Sequence, residues 1–312
     1  MIDVQRLAVL REVARCGSFN QAAAALRCTP SAVSQQIAAL ERGLGAPAVE
    51  RSTRGVTLTE AGRLLVEAAD AIAAELADTE QRIGKLTAER TALVVAAFAS
   101  GGRRLLPGAL GGFVADHPDV ELTILEAEPE ESLPAVREGR ADLALAYHLD
   151  GPPPARPGDR SGLDWSPLGE DPLRVVLPRH HPVAAGYRLR PEPLHLAELA
   201  DQRWILGCRK SAGQLARHAA LAGVDLRISC TATDYEFAQS LVRAGVGIAL
   251  IPEIGLTGHP DLVALPLAEP GPRRHLGVAL SRRRRGPAAR LAEELAARLA
   301  AEPEALAEEA EA

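Results

Sequence analysis

Ser31, Ser34 and Gln35 are the residues whose types and spacing most plainly suggest chemistry, and that chemistry is recognition rather than catalysis. A Gln amide can pair two ways with an adenine edge, and serine hydroxyls can donate to bases or phosphates. At about 100° per residue, Ser31, Gln35, Ala38 and Arg42 share one helix face with Ser34 on its flank, while Gln36 lies nearer the core side. The N-terminal part of this face is short, polar and uncharged, so a groove floor can approach it. A solvated face would more often carry Glu and Lys. The segment Glu50 to Leu58 follows closely and sets Arg51 and Arg54 beside a Gly turn, free to reach phosphates or a minor groove.

The elements that must position these side chains are written nearby. Ser18 and Gln21 have capping-box spacing, which predicts a helix from Phe19. Phe19, Ala22, Ala23 and Leu26 would form its buried face. Thr29 is suited to cap a second helix with Pro30 at its first position, where the missing N–H costs nothing. Val33, Ile37, Leu40 and Leu44 give that helix a core stripe, and Gly45 ends it. Alternating Val56 and Leu58 after Gly55 predict a small hairpin. Two helices a tight turn apart followed by a basic hairpin describe a winged helix-turn-helix. A plain helical hairpin in a globular core is the alternative, and the hairpin signal that follows at once speaks against it.

Charge is divided along the chain. Residues 1–58 carry seven Arg against four acids, a net +3, while the chain as a whole is −6. A basic head on an acidic body suits contact with nucleic acid at one end only.

These residues carry a family resemblance. Gly17-Ser18-Phe19, Ala22-Ala23, Leu26, Ser31 to Ile37, Leu40-Glu41, Leu44-Gly45, Arg51, Arg54-Gly55-Val56 and Leu58-Thr59-Glu60-Ala61-Gly62 resemble the LysR-type transcriptional regulators. The resemblance implies operator contacts by Pro30, Ser31, Ser34, Gln35, Arg51 and Thr59. The chain departs from the family pattern in three places. The usual Ser-Gln-Pro-Ala opening is Thr29-Pro30-Ser31-Ala32, and Gln35 stands where Arg is frequent, so base preference does not carry over. Ala48-Val49 replaces the usual Leu-Phe before the wing, which suggests looser packing beneath it.

A long helix is expected from Thr59 to about residue 88. Leu65, Ile72, Thr79 and Leu86 recur every seven residues, with Ala69, Leu76 and Ile83 four after each of the first three, as in a coiled-coil seam. The seam expected to dimerise the chain thus includes Leu65, Ile72, Leu76 and Ile83; the alternative is an amphipathic helix packed on its own domain. Two-fold pairing would present two recognition helices to an inverted-repeat operator. The resemblance likewise implies a homodimer or a dimer of dimers.

From about Ala92 apolar runs alternate with helical segments: strands near 93–98, 120–125, 143–147, 173–177, 204–206, 226–230, 248–252 and 275–280, a loop over 99–102 leading into a helix that carries Leu105, Leu106, Leu110 and Phe113, and helices near 131–138, 211–222, 234–244 and 287–300. Such alternation calls for an open α/β sheet. Leu105-Leu106-Pro107, His117-Pro118, His181-Pro182 and Gly245 to Pro252 resemble the family's effector-binding half, which implies two lobes like those of periplasmic binding proteins. The expected architecture is therefore α/β: a winged helix-turn-helix over 1–58, a linker helix over 59–90, a two-lobed effector domain over 91–300 and an acidic, frayed tail over 301–312. Residues 151–158, rich in Pro and Gly, read as a surface insertion.

Ligands in open α/β sheets sit at the carboxyl ends of strands, often against helix N-termini. Here those places supply Ser100, Tyr147, Cys208, Arg209, Ser211 and Thr231 as candidate effector contacts. Arg209 or Lys210 would suit a carboxylate or phosphate, so an organic anion is the expected effector class. Solvated loop ends are the alternative for each.

Other features read plainly. His180-His181 lacks a surrounding ligand pattern, so no metal is expected. Cysteines 16, 28, 208 and 230 lack framework spacing and suit free thiols in a reducing cytoplasm. Cys208 keeps open a regulator switched by thiol oxidation, or one with no effector. Arg282 to Arg285 suits a solvated edge or an acidic surface better than a second DNA site. No P-loop, G-x-S-x-G, H-E-x-x-H, paired-carboxylate or dinucleotide fingerprint is present, so neither an enzyme nor a cofactor is expected. No signal peptide or membrane span is written, which predicts a cytoplasmic protein.

Overall fold

The computed structural model describes residues 2–52, 55–85, 91–149, 162–207, 209–268 and 270–311. The head begins with α1 (Val4–Cys16), which the sequence reading passed over although Leu7, Leu10 and Val13 mark its buried face. Asp3 caps it, and Gly17 ends it with φ 63°, a left-handed conformation that suits glycine. Then come α2 (Phe19–Ala25), α3 (Pro30–Leu44), and the wing strands β1 (Val49–Ser52) and β2 (Gly55–Leu58), paired antiparallel with Arg51 opposite Val56.

Ser18 occupies the cap position of α2, but its side chain makes no capping hydrogen bond, so the capping box is not formed. Leu26 is exposed, because α2 ends one residue before it. Thr29 caps α3 as expected, accepting from the Ala32 N–H at 3.2 Å, and Gly45 closes it at φ 73°. In the turn between α2 and α3, Arg27 is left-handed at φ 53°. The head core joins Leu7, Leu10, Val13, Ala22, Ala23, Val33, Ile37 and Leu40 to Ala48 and Val49 beneath the wing. Both of the last two are buried, so the wing rests on a closed base rather than a loose one.

The linker helix α4 (Glu60–Lys85) is anchored on this head. Leu65 and Ala69 are buried in the head core and Ile72 packs against it. Leu65 is therefore removed from the expected dimer seam: its heptad position is used within its own chain. Leu76 and Ile83, at 57% and 61% exposure, leave the outer half of that seam open. Leu86 lies outside the described residues.

The remaining chain forms β3 (Ala92–Ala97), α5 (Ala99–Arg104), α6 (Leu106–Asp116), β4 (Glu121–Glu126), α7 (Pro129–Arg137), β5 (Leu143–His148), β6 (Leu163–Pro178), α8 (Pro182–Leu189), β7 (Arg203–Leu206), α9 (Arg209–Leu221), β8 (Arg227–Thr231), α10 (Tyr235–Arg243), β9 (Ile248–Pro252), β10 (Leu262–Pro266), β11 (Arg273–Ser281) and α11 (Pro287–Glu311). Strand β6 begins ten residues before its apolar run, α8 and β10 had no sequence expectation, and the loop expected over 99–102 is the first turn of α5. The insertion expected at 151–158 lies outside the described residues. The backbone of 301–311 continues α11 as helix, so the expected frayed tail is replaced by a longer terminal helix.

Two lobes share the long strand β6. In lobe 1, β3 pairs parallel with β4 and β5, and β11 runs antiparallel between β5 and the first half of β6. In lobe 2, the second half of β6 lies between β9 and β10, with β7 and β8 beyond β9. Helices α5, α6 and α11 cover one face of lobe 1, where Phe98, Leu105, Phe113, Leu295 and Leu299 pack on Leu93, Leu143 and Val278. In lobe 2, Trp204, Leu177, Leu199 and Leu250 form the core under α8 and α9. Burial on both sides explains the continuous apolar runs of these strands.

Candidate nucleic-acid interface and effector cleft

The proposed reading surface is the exposed side of α3. Pro30, Ser31, Gln35 and Arg42 are exposed, and Ser34 is half-buried. The Ser31 hydroxyl lies 3.0 Å from that of Thr29, which holds it at the helix N-terminus. Gln36 is exposed as well, against the expectation that it faces the core; the buried stripe Val33, Ile37 and Leu40 excludes it. It thus widens the polar face to two adjacent amides.

The wing is fixed to the helices by backbone and carboxylate contacts that sequence reading did not find. Val56 N–H donates to the Gly17 carbonyl at 3.0 Å. Glu41 Oε1 accepts from the N–H groups of Ala48 and Val49 at 2.8 and 3.2 Å, so an acid on α3 holds the start of β1. Thr59 donates its hydroxyl proton to the Pro47 carbonyl at 2.7 Å and accepts from Gly62 N–H at 3.0 Å. It therefore sets the start of α4, and its proton is engaged within the protein rather than offered to an operator. Gly62 is required nearby, because a Cβ there would overlap the Ala48 carbonyl. The Arg51 side chain and the whole of Arg54 lie outside the described residues.

Between the lobes lies a cleft of about 1320 Å³, lined by residues of α5, the end of β4, the start of α7, β5, the start of α10, the segment 253–258 and β11. Of the expected contacts, Ser100 and Tyr147 line it, and both are buried. Thr231 ends β8 exposed and does not line it; Thr233, two residues on, does. Arg209 and Ser211 open α9, but their side chains, like Cys208 entirely, lie outside the described residues.

The floor of the cleft belongs to Arg274, which sequence reading missed. Arg274 on β11 stands directly opposite Asp171 on β6, and its Nε donates to Asp171 Oδ2 at 2.7 Å. Its Nη2 donates to Ser100 Oγ at 3.1 Å, and its guanidinium lies 5.0 and 4.8 Å from the ring centroids of Phe98 and Tyr147. Burial works against both charges. It pushes the Asp171 carboxyl above its usual range despite the pull of Arg274 and the Ile254 N–H. The Arg274 guanidinium is held charged against the same burial by Asp171 first. Removing one partner of such a pair costs roughly 3–5 kcal/mol.

Across the mouth, Arg103 on α5 reaches lobe 2: its Nη1 donates to Glu236 at 3.2 Å, and Nη2 lies 3.6 Å from Asp234. Asp234 also caps α10, accepting from Phe237 N–H at 2.7 Å. Tyr147 donates to Glu128 at 2.7 Å. Buried Gln239 bonds the Gly255 carbonyl and both the N–H and hydroxyl of Thr257, which shapes the lobe 2 rim.

Residues 4–63 match the family of bacterial regulatory helix-turn-helix proteins, lysR family, and residues 87–301 match the LysR substrate binding domain. The chain belongs to the LysR family of transcriptional regulators. This LysR regulator is 32% identical over 277 residues to a probable hydrogen peroxide-inducible genes activator of Mycobacterium avium, covering 85% of this chain and 84% of that one. It is 29% identical over 253 residues to the regulator MetR of Escherichia coli (strain K12), covering 81% and 75%. Full-length BenM with an R156H substitution superposes with a TM-score of 0.55 at 20% identity over 96% of this chain and 95% of that one, which shows a shared fold.

Two other sequence expectations meet their structural setting here. His181 accepts from Val183 N–H at 3.3 Å and bonds Gln202 at 3.0 Å, so it caps α8. The basic run is taken up by acids: Arg282 and Arg284 both pair with Asp164, and Arg283 reaches Glu75 on α4. Among the described residues no helix is long and apolar enough to cross a membrane.

Proposed function

We propose that this LysR-family regulator is a cytoplasmic, non-catalytic protein that reads an inverted-repeat operator with α3 and the wing and responds to a small molecule in its cleft. The single observation that carries the reading is the exposed polar face of α3, Ser31 and Gln35 with Gln36 beside them, on a head packed tightly enough to present it rigidly. Pro30, Ser31, Ser34 and Gln35 would meet the groove, and Arg51 and Arg54 the phosphates. The working division is 1–58 for the head, 59–90 for the linker and 91–300 for the effector domain. Pairing of two chains would use the outer half of α4, through Leu76 and Ile83. An effector would bind one lobe arrangement better than the other, and it can shift the equilibrium only by that difference. Ion pairs of Arg103 with Asp234 and Glu236 hold the present arrangement.

Footprinting of the full chain on the DNA upstream of its own gene tests this. Two protected half-sites related by a two-fold axis, centred roughly 10 base pairs or a multiple apart, are expected. Uniform protection without half-sites would contradict it.

A thiol-switched regulator is the second reading, favoured by the likeness to the probable hydrogen peroxide-inducible genes activator of Mycobacterium avium and by Cys208, the residue that precedes α9 in the sequence. Cys208→Ser separates the two: a peroxide response lost in this variant supports the switch, and one that persists or never existed dismisses it.

A further inference from the structure

We propose that the cleft takes a small amphoteric molecule, with its carboxylate held by Arg274 and Ser100 and its ammonium facing the acidic wall that includes Glu126. This rests on the reading of the cleft as the regulator's effector site and names the chemistry of that site.

Arg274 is 3% exposed yet lines the cleft. Its Nε and Nη2 are engaged by Asp171 and Ser100, whereas Nη1 has no acceptor among the described residues. The Ser100 hydroxyl accepts from Arg274, and its own proton likewise has no acceptor among the described residues; the side chain is 7% exposed. Two buried groups thus bring unused donors to one place, backed by the rings of Phe98 and Tyr147. A planar acceptor satisfies them, and a carboxylate does so with charge assistance. Asp171 neutralises most of the Arg274 charge, so the subsite suits one carboxylate and not a dianion.

The surrounding wall has the opposite sign. Glu126, Glu128, Glu130, Asp234 and Glu253 line the cleft, against Arg103, Arg104 and Arg274, and Glu253 is paired at 2.8 Å with Arg174 behind it. Arg103 is already paired with Asp234 and Glu236 across the mouth. Glu126, at the end of β4, is exposed and has no partner among the described residues. An ammonium group offsets Glu126, which a purely anionic ligand would meet with no cation beside it.

The arrangement also explains how such a ligand would be felt by both lobes. Ser100 and Arg274 belong to lobe 1, Asp171 to β6, the strand that the lobes share, and Asp171 Oδ1 accepts from Ile254 N–H at 3.1 Å on the lobe 2 rim. A carboxylate bound to Arg274 joins that continuous path.

The test uses the full chain and three matched sets of probes: the proteinogenic amino acids with ornithine, their deaminated acids, and their decarboxylated amines. Calorimetric titration reads affinity, and anisotropy on the upstream DNA is followed in parallel. At least one amino acid should bind roughly ten-fold or more tightly than both of its truncated analogues, the worth of one charge-assisted contact. Arg274→Lys keeps a charge beside Asp171 and removes the Nη1 donors; it and Ser100→Ala should each weaken that amino acid by about ten-fold. Glu126→Gln should weaken the amino acid by a similar factor and its deaminated acid by under about two-fold. Equal binding by the acid, equal binding by the amine, or binding by no probe would each overturn the proposal. Loss of preference for the upstream DNA in the unliganded protein would overturn the regulator reading instead.

Discussion

The guanidinium of Arg283, on the turn after β11, lies 2.9 Å from the carboxylate of Glu75 on α4, and it donates to the Ala71 carbonyl at 3.1 Å. A helix carbonyl with its own intrahelical partner thus accepts a second donor from the effector domain. This contact ties lobe 1 to the helix whose other side is packed into the DNA-binding head through Leu65 and Ala69. A movement of lobe 1 would therefore reach α4 at this contact.

Replacing Arg283 with Ala should leave the fold almost unchanged, since a partly exposed ion pair contributes about 0–1 kcal/mol. Operator affinity without effector should stay within about three-fold of the parent. The change in affinity on adding effector should shrink. Anisotropy with and without ligand measures both, and an undiminished response would remove Arg283 from the coupling.

The two halves of α4 should answer differently to the same kind of substitution. Leu76→Glu with Ile83→Glu places charges on exposed seam positions and should shift the sedimenting species toward monomer while melting temperature holds. Leu65→Glu buries a charge in the head core, and should unfold the head at a cost above about 3 kcal/mol. Unchanged sedimentation of the double variant would dismiss the outer seam.

This split shows where the sequence was legible and where it was not. Periodicity found α3 and its caps because Thr29, Pro30 and Gly45 each have a local backbone reason to stand where they do. The same periodicity could not divide α4, because a heptad stripe satisfies a partner helix and a head core equally well. Only the fold shows that Leu65 turns into the head core, where α4 packs on α1. Most strands were readable along the chain from their apolar runs, though not their order in the sheet, and β6 was seen only from Leu173, because its first half carries Asp164, Glu170 and Asp171. Arg274 was missed for a related reason. Its partner is 103 residues away, and their meeting depends on β6 and β11 crossing in register. Gln36 was misplaced by a helical-wheel estimate that gave the buried stripe too much width.

Two carboxylates should respond to pH with opposite sign. Burial between α1 and lobe 1 raises the Asp70 pKa above 3.8, with Arg11 at 3.7 Å and Arg137 opposing it. The hydrogen bond from Arg284 holds Asp164 below 3.8, with burial opposing it. Ionised Asp70 therefore costs stability, a cost that is absent below its ordinary pKa and grows as pH rises. Asp164 contributes stability above its ordinary pKa, and this is lost as pH falls through its depressed folded value. At about pH 7 Asp70→Asn should raise the melting temperature and Asp164→Asn should lower it, and both differences should shrink toward about pH 3. Melting curves of the three proteins across that range check the signs.

The most direct measurement is the ratio of affinities for the upstream DNA and a scrambled duplex of equal length, taken at fixed salt for the parent, Gln35→Ala and Arg51→Ala. The parent should prefer the upstream DNA by roughly 10³-fold or more. Gln35→Ala should reduce that ratio by about ten-fold or more, whereas Arg51→Ala should weaken both duplexes by similar factors. A parent that binds both duplexes equally would contradict the claim that the polar face of α3 reads sequence.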